Sequence, residues 1–443
     1  MGVNGIETGR SHVVTGTAAQ ADSASSTHPA FEDALTADKL TALMRSTWTW
    51  DDRALRRDLS SLLVDVAAAN GDIGDEAIAR TLRARSLASG ARFAADVLGP
   101  HLIADAGSAL RGDFVAAASD PTAFDRIARK AHAEVRSRAA DYLRALRETG
   151  YPEESTWLKL ATAQETGLGA AMRGYGHSLS TTPLFSNIGL AWQSLRALGA
   201  DGTEYRERIE SGELRATVAA AERSGSWDPA LVRTKAQPDD DGWRLSGTKL
   251  FVPDAAGADV ILTVARSIAG PSLFAVDADA AGLSITELDS IDATRPLFRV
   301  ELEDTPARLL GKEGRGGALM RETMDLAMTA LAGEQVGLIE RAVALLLHRD
   351  LGEAGPDLAQ TALDHATAVS LWKQAQSADA EVGSAAMAHI GCSTASVRVA
   401  RLAAEAATDS GEVAALLARA LSASLLLGGP AVFYERLLDR LDI

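Results

Sequence analysis

The chain is short of cysteine, of aromatic residues and of positive charge, and each shortage closes off a class of protein. A single cysteine, Cys392, in 443 residues excludes an intrachain disulfide and any multi-thiolate zinc or iron–sulfur centre, and it fits a reducing, cytoplasmic compartment. Lys and Arg number 44 against 60 Asp and Glu, a formal charge of -16; the electrostatic footprint that tracks a phosphate backbone is missing, so no nucleic-acid partner is expected. Aromatics make up 5% against 47% hydrophobic residues, a balance that suits alanine-rich, close-packed helices. No run reaches the roughly 20 apolar residues of a membrane span; the nearest, Val413 to Leu427, contains Arg419 and stops at Gly428-Gly429-Pro430. The first residues carry no basic stretch followed by an apolar core, and residues 1–36 are expected to be a flexible tail.

Three parts follow. Residues 37–212 read as an N-terminal helical domain: Leu55, Leu59, Leu62, Leu63 and Val66 recur at helical spacing, with breaks at Asn70-Gly71, Gly99-Pro100, Gly150 to Pro152 and Thr182-Pro183. Residues 213–311 change character, to short runs such as WRLSGTKLFV, DVILTVARS and SLFAVDAD separated by Asp, Gly and Pro. They predict a β domain of six or seven strands, with a hairpin turn at Asp241-Gly242. Residues 312–443 return to the helical period, first in one long helix from Gly317 to about His348, then in three or four more between about Leu358 and Leu441. The expected fold class is α+β: helical domain, barrel-like β domain, helical bundle.

Chemistry that announces itself by spacing is absent. The eight histidines form no HExxH and no cluster at ligand spacing, so no metal site is expected. There is no Gly-x-Ser-x-Gly elbow, no P-loop and no Rossmann glycine pattern. The glycine-rich stretch Gly311 to Gly317 reads as a strand-to-helix loop.

The order of segments carries more information. TVAAAERSGSWDP, GWRLSGTKLFVPDAAGADVILTVAR, LFAVDADAAGLSI, DATR, LLGKEGRGG and LAGEQVGLIERA together resemble the acyl-CoA dehydrogenase superfamily, especially its short actinobacterial members, over about Glu165 to Arg341. The resemblance implies an FAD flavoprotein whose cofactor lies between β domain and bundle. It implies removal of hydrogen from an acyl-CoA or carrier-bound acyl thioester, an electron-acceptor flavoprotein, and a homo-oligomer or a heteromeric family partner. In the family a carboxylate takes the α proton while the β hydrogen leaves as hydride to the flavin.

Several positions depart from the family pattern. The flavin-contacting Thr-Glu-Pro strand resembles Ala221-Glu222-Arg223, and the Trp-bearing segment beside the flavin resembles Phe251-Val252-Pro253, where Phe can stack but Pro offers neither hydroxyl nor N–H. The C-terminal catalytic Glu of the family falls on Leu427, and the alternative Glu of another branch falls on Ala327. The intersubunit Arg-x-x-Phe-Gly element looks reduced to Arg349-Asp350-Leu351-Gly352, and the second such element looks replaced near Glu405 to Gly411. Position 334 lies seven residues from 327 and returns to nearly the same helical face, making Glu334 the best candidate on the helix for a substitute base, with a structural carboxylate as the competing reading. Arg295, in Asp292 to Arg295, is expected to fix the junction between β domain and helix. Three readings follow: a dehydrogenase with a relocated base or unusual substrate, a subunit completed by a family partner, or the same fold repurposed in a biosynthetic pathway.

Overall fold

The computed structural model describes residues 31–104, 109–163, 166–240, 242–347, 357–406 and 411–443. The N-terminal part contains α1 (Ala37–Ser46), α2 (Arg53–Asn70), α3 (Glu76–Leu98), α4 (Pro121–Ala145) and α5 (Gly167–Ser178). Aspartates set several starts: Asp52 accepts from the amides of Ala54 and Leu55, and Asp75 from those of Ala77 and Ile78, which satisfies donors that have no partner within the helix. Gly99, at φ 45°, ends α3 where the sequence placed a break. One boundary differs from expectation. Phe31, Ala34 and Leu35 are buried against Leu40, Phe114 and Phe124, so the segment from residue 31 is part of the core and not of a tail; two phenylalanine rings supply enough apolar surface to hold it.

The middle part is a seven-stranded sheet: β1 (Ala216–Ala219), β2 (Lys235–Asp239), β3 (Gly242–Pro253), β4 (Val260–Ser267), β5 (Gly270–Asp277), β6 (Leu283–Leu288) and β7 (Leu297–Leu310). Strands β4, β2, β3, β7 and β5 bond in that order and β5 returns to β4, closing a ring; β1 adds beside β4 and β6 beside β7. Closure removes the open edges that an isolated sheet would present. β2 and β3 pair antiparallel with Asp239 opposite Gly242, as the expected hairpin requires, though Asp241 lies outside the described residues.

The last part is α6 (Gly316–Leu347), α7 (Leu358–Gln376), α8 (Ser384–Ala406), α9 (Gly411–Leu425) and α10 (Pro430–Arg440). α6 is buried on every side along its second half, from Ala330 to Glu340, as suits a helix at the centre of a large core. Its glycines let α5 approach closely: a Cβ on Gly337 would lie 2.0 Å from the Arg173 carbonyl oxygen, and one on Gly176 2.1 Å from that of Glu334. A window of membrane-span length and composition covers Gly411–Gly428, but its Arg419 is fully buried in ion pairs within the protein.

Candidate functional site

A cleft of about 300 Å³ opens where four parts meet: the β1–β2 loop with the end of β3, the segment from Ser290 to Leu297 between β6 and β7, the helical turn Phe185–Trp192, and the end of α9 with the turn that follows it. Ala221, Gly225 and Trp227 line it from the first loop, Phe251 and Pro253 from β3, Phe185 and Leu190 from the helical turn, and Leu425 to Gly428 from the bundle. The sequence-predicted residues Ala221, Phe251 and Pro253 are therefore brought together, and Leu427 lines the same cleft.

Local backbone shape explains how these side chains reach the cleft. Pairing of β3 with β7 shifts register between Lys249 and Val252, a bulge that turns the strand and re-aims Phe251. Phe251, Asp254 and Leu427 all adopt left-handed backbone, at φ 58°, 55° and 67°. Such conformations cost about 1–3 kcal/mol each for residues other than glycine and gather at functional sites. Two of the three line one cleft and the third follows it directly in sequence. Phe251 is 44% exposed at the mouth, beside exposed Ile291 and Leu425.

Val252 and Glu222 behave differently. Val252 is buried in the barrel interior with Val300 and Phe298. Glu222 points back into the domain, where its carboxylate accepts from the Arg233 and Thr234 amides, the Thr234 hydroxyl and Lys249 Nζ at 2.8 to 3.1 Å. Burial alone would push this carboxyl up, but Lys249 and the Thr234 amide outweigh it and hold it below its ordinary value. Arg349 lies outside the described residues.

Of the two readings of Glu334, its surroundings fit the structural carboxylate and not the base. The helix-face argument assumed a carboxylate open to substrate, whereas Glu334 is fully buried and does not line the cleft. Arg295 Nη2 donates to both of its oxygens and Arg419 Nε to Oε1 at 2.6 Å. Burial would raise its carboxyl; the two guanidinium groups overcome that and hold it ionised, below its ordinary range. A carboxylate so paired is a poor proton acceptor. Arg295 comes from the loop before β7, Glu334 from α6 and Arg419 from α9, so the cluster ties the β domain to the bundle, in keeping with the junction role expected of Arg295. Arg419 Nη1 adds bonds to the Thr294 carbonyl oxygen and hydroxyl. Phe185 forms the partition: one side lines the cleft, and Arg295 lies 5.1 Å from its ring centre.

Asp254 is the carboxyl that sequence reasoning passed over. It accepts from Ser186 Oγ at 2.6 Å and burial pushes it above its ordinary value. Its signal was the Pro-Asp pair at the end of a strand, since Asp tolerates left-handed backbone better than most residues.

Phe251, Trp227 and Phe185 offer flat aromatic faces, and a cavity of about 150 Å³ already accepts benzene, so the cleft fits part of a planar ring system. Ser290 and Ser422 are its only side-chain hydroxyls among the described residues, and no Lys or Arg lines it. The donor set thus suits a flavin's ring portion and supplies no cation for its diphosphate.

The comparisons agree with this architecture. Residues 217–304 match the family model for the acyl-CoA dehydrogenase middle domain. The chain is 28% identical over 148 residues to the L-prolyl-[peptidyl-carrier protein] dehydrogenase of Serratia sp. (strain ATCC 39006), covering 31% of this chain and 38% of that protein. It is equally similar over 148 residues to the cyclohexane-1-carbonyl-CoA dehydrogenase of Geobacter metallireducens, covering 31% and 39%. The matched segment therefore spans about two fifths of either relative. The butyryl-CoA dehydrogenase of Megasphaera elsdenii shares the fold at a TM-score of 0.59 and 17% identity, over 70% of this chain and 98% of that one. The closed middle barrel between flanking helical parts is the architecture shared with that dehydrogenase. Residues 217–304 thus carry an acyl-CoA dehydrogenase middle domain, and the chain as a whole has the acyl-CoA dehydrogenase fold.

Proposed function

We propose that this chain is an FAD-dependent subunit of a cytoplasmic acyl-thioester α,β-dehydrogenase, and that its own cleft lacks the proton-accepting carboxylate. The observation that carries the reading is the meeting of Ala221, Phe251 and Pro253 with Leu427 around one apolar cleft. Phe251 and Trp227 would hold the flavin ring, Ser290 and Ser422 would bond its polar edge, and the apolar inner walls would keep water from the buried part of the ring. Bound there, the flavin would supply the hydride acceptor that no side chain can replace. Arg349 would reach the FAD of a neighbouring subunit, and electrons would pass on to a separate flavoprotein. The substrate class is an acyl group on coenzyme A or on a carrier protein, in line with the two relatives.

No carboxylate lines the cleft among the described residues, Ala327 is fully buried in the core, and Glu334 is engaged by two arginines. This favours completion of the site by a second family chain over a relocated base within this one. Purification of the chain alone, an absorption spectrum for flavin and anaerobic bleaching on adding acyl thioester test the reading. Weak flavin retention and slow bleaching that a complementary chain restores are expected. Tight flavin with bleaching as fast as a complete dehydrogenase would overturn the missing-base part of the proposal.

A further inference from the structure

The arginines of α3 and α4 divide into two sets. Arg80, Arg83, Arg92, Arg126, Arg138 and Arg144 each have a carboxylate within ion-pair distance. Arg85, Arg129 and Arg136 have none among the described residues, and all three line one cavity, of about 430 Å³, away from the cleft. Arg85 is balanced at longer range by Asp364, Asp65 and Asp357, so the surplus charge belongs to Arg129 and Arg136. Both are exposed. In a chain of formal charge -16, two cations left without partners, on helices whose other arginines are nearly all paired, make this cavity a local positive field that favours an anion.

His132 stands between them. Arg85 Nη2 donates to its Nδ1 at 3.0 Å; a guanidinium can only donate, so Nδ1 accepts and the proton of the neutral ring sits on Nε2. Burial keeps the ring neutral, below its ordinary pKa, helped by Arg85 and Arg136 and opposed by Asp357. The Nε2–H is left without a hydrogen bond among the described residues. Asp357 Oδ2 is 3.8 Å from it, beyond hydrogen-bond reach, and Asp357 Oδ1 accepts from the Gln360 amide at the start of α7. The one carboxylate in the cavity lining, Asp125, is held by Arg92. Positions 129, 132 and 136 follow the helical period, which puts Arg129 and Arg136 on the His132 face, about 10.5 Å apart along α4. Guanidinium forks at both ends with an imidazole N–H between them supply donors from several sides, an arrangement that suits a tetrahedral dianion better than a planar carboxylate.

We propose that this cavity binds a phosphate group, its oxygens on Arg129, Arg136 and His132 Nε2–H, with Arg85 fixing the imidazole from behind. The site does not depend on the dehydrogenase reading, since it shares no lining residue with the cleft.

The test is calorimetric titration of the full chain, in a phosphate-free buffer, with inorganic phosphate and with methyl phosphate; acetate is the planar control. We expect at least one phosphate to bind with a Kd of about 1 mM or tighter, and acetate to bind at least about 10-fold more weakly. Whichever phosphate binds more tightly tells whether the occupant is the free ion or an ester, and either supports the site. Arg129→Gln and Arg136→Gln, both at exposed positions, should each weaken binding about 10-fold or more. Lys130→Gln removes the same charge from the same helix outside the cavity lining and should leave affinity within about twofold, which separates a site from a general field. No heat with either phosphate, acetate binding as tightly as phosphate, or a loss in Lys130→Gln equal to that in Arg129→Gln would overturn the proposal.

Discussion

Glu334 shows what a single residue can and cannot disclose. Helical arithmetic placed it on the face of Ala327, and both residues are fully buried. What meets that face depends on Arg295 and Arg419, 39 and 85 residues distant in sequence, and no local pattern carries that information. The same physics gives a prediction. Removing one member of a buried ion cluster strands the others, at about 3–5 kcal/mol. Glu334→Gln should therefore lower unfolding free energy by several kcal/mol in a urea titration, while leaving the flavin reduction rate per folded, flavin-loaded molecule within about threefold; a selective collapse of that rate with stability intact would restore Glu334 as the base. Phe251 gives a second expectation. Phe251→Ala removes the stacking face at the mouth and should weaken FAD binding about 10-fold, on the order of 1 kcal/mol, as read by fluorescence titration. Unchanged affinity would move the ring elsewhere.

At the scale of elements, most of the architecture was legible. The return of the helical period predicts a helix from Gly317 to about His348, and α6 runs Gly316–Leu347. Strand runs bounded by Asp, Gly and Pro gave the barrel, because turn chemistry is local. The bulge at Phe251 was not legible, since a register shift is a property of two strands at once. Nor was the close seam between α5 and α6. A methyl group at Gly337 would meet the Arg173 carbonyl at 2.0 Å, and backbone cannot yield there without moving a helix. Gly337→Ala should cost more than the 1–3 kcal/mol usual for overpacking, or leave the chain insoluble. A variant of wild-type midpoint in thermal unfolding would show that the helices can separate freely.

Among the described residues, two of the buried carboxyls, Glu340 and Asp364, titrate in opposite directions. Glu340 binds Tyr151 at 2.9 Å, Arg173 Nε at 2.8 Å and His365 at 3.0 Å. Burial would raise it, but the bonds from His365 and Arg173 prevail and hold it at about 2. Its folded value lies below its unfolded one, so it contributes stability above about pH 4.5, lost as pH falls from there toward 2. Asp364 is pushed the other way, to about 6, by burial. Its folded form takes up a proton that its unfolded form does not hold between about pH 4 and 6, so stability falls as pH rises through that window. The combined expectation is a gain in stability from pH 7 to about 5, then a loss on further acidification. Asp364→Asn should shrink the first limb and leave the second, read by denaturant titration at each pH. A wild-type profile flat from 7 to 5 would contradict the burial account of Asp364.

The central claim is that the cleft is a dehydrogenase site short of its base, and Leu427 tests it most directly. Leu427 lines the cleft at φ 67°, and glutamate, unbranched at Cβ like leucine, can take its place in that backbone with little added strain. The measurement is the rate of anaerobic flavin bleaching by a short acyl thioester, in FAD-saturated wild type and in Leu427→Glu. A positioned base is worth about 10²- to 10⁴-fold. The account predicts slow bleaching in wild type and at least about 100-fold faster bleaching in the variant. Fast bleaching in wild type, with no gain or a loss in Leu427→Glu, would contradict it.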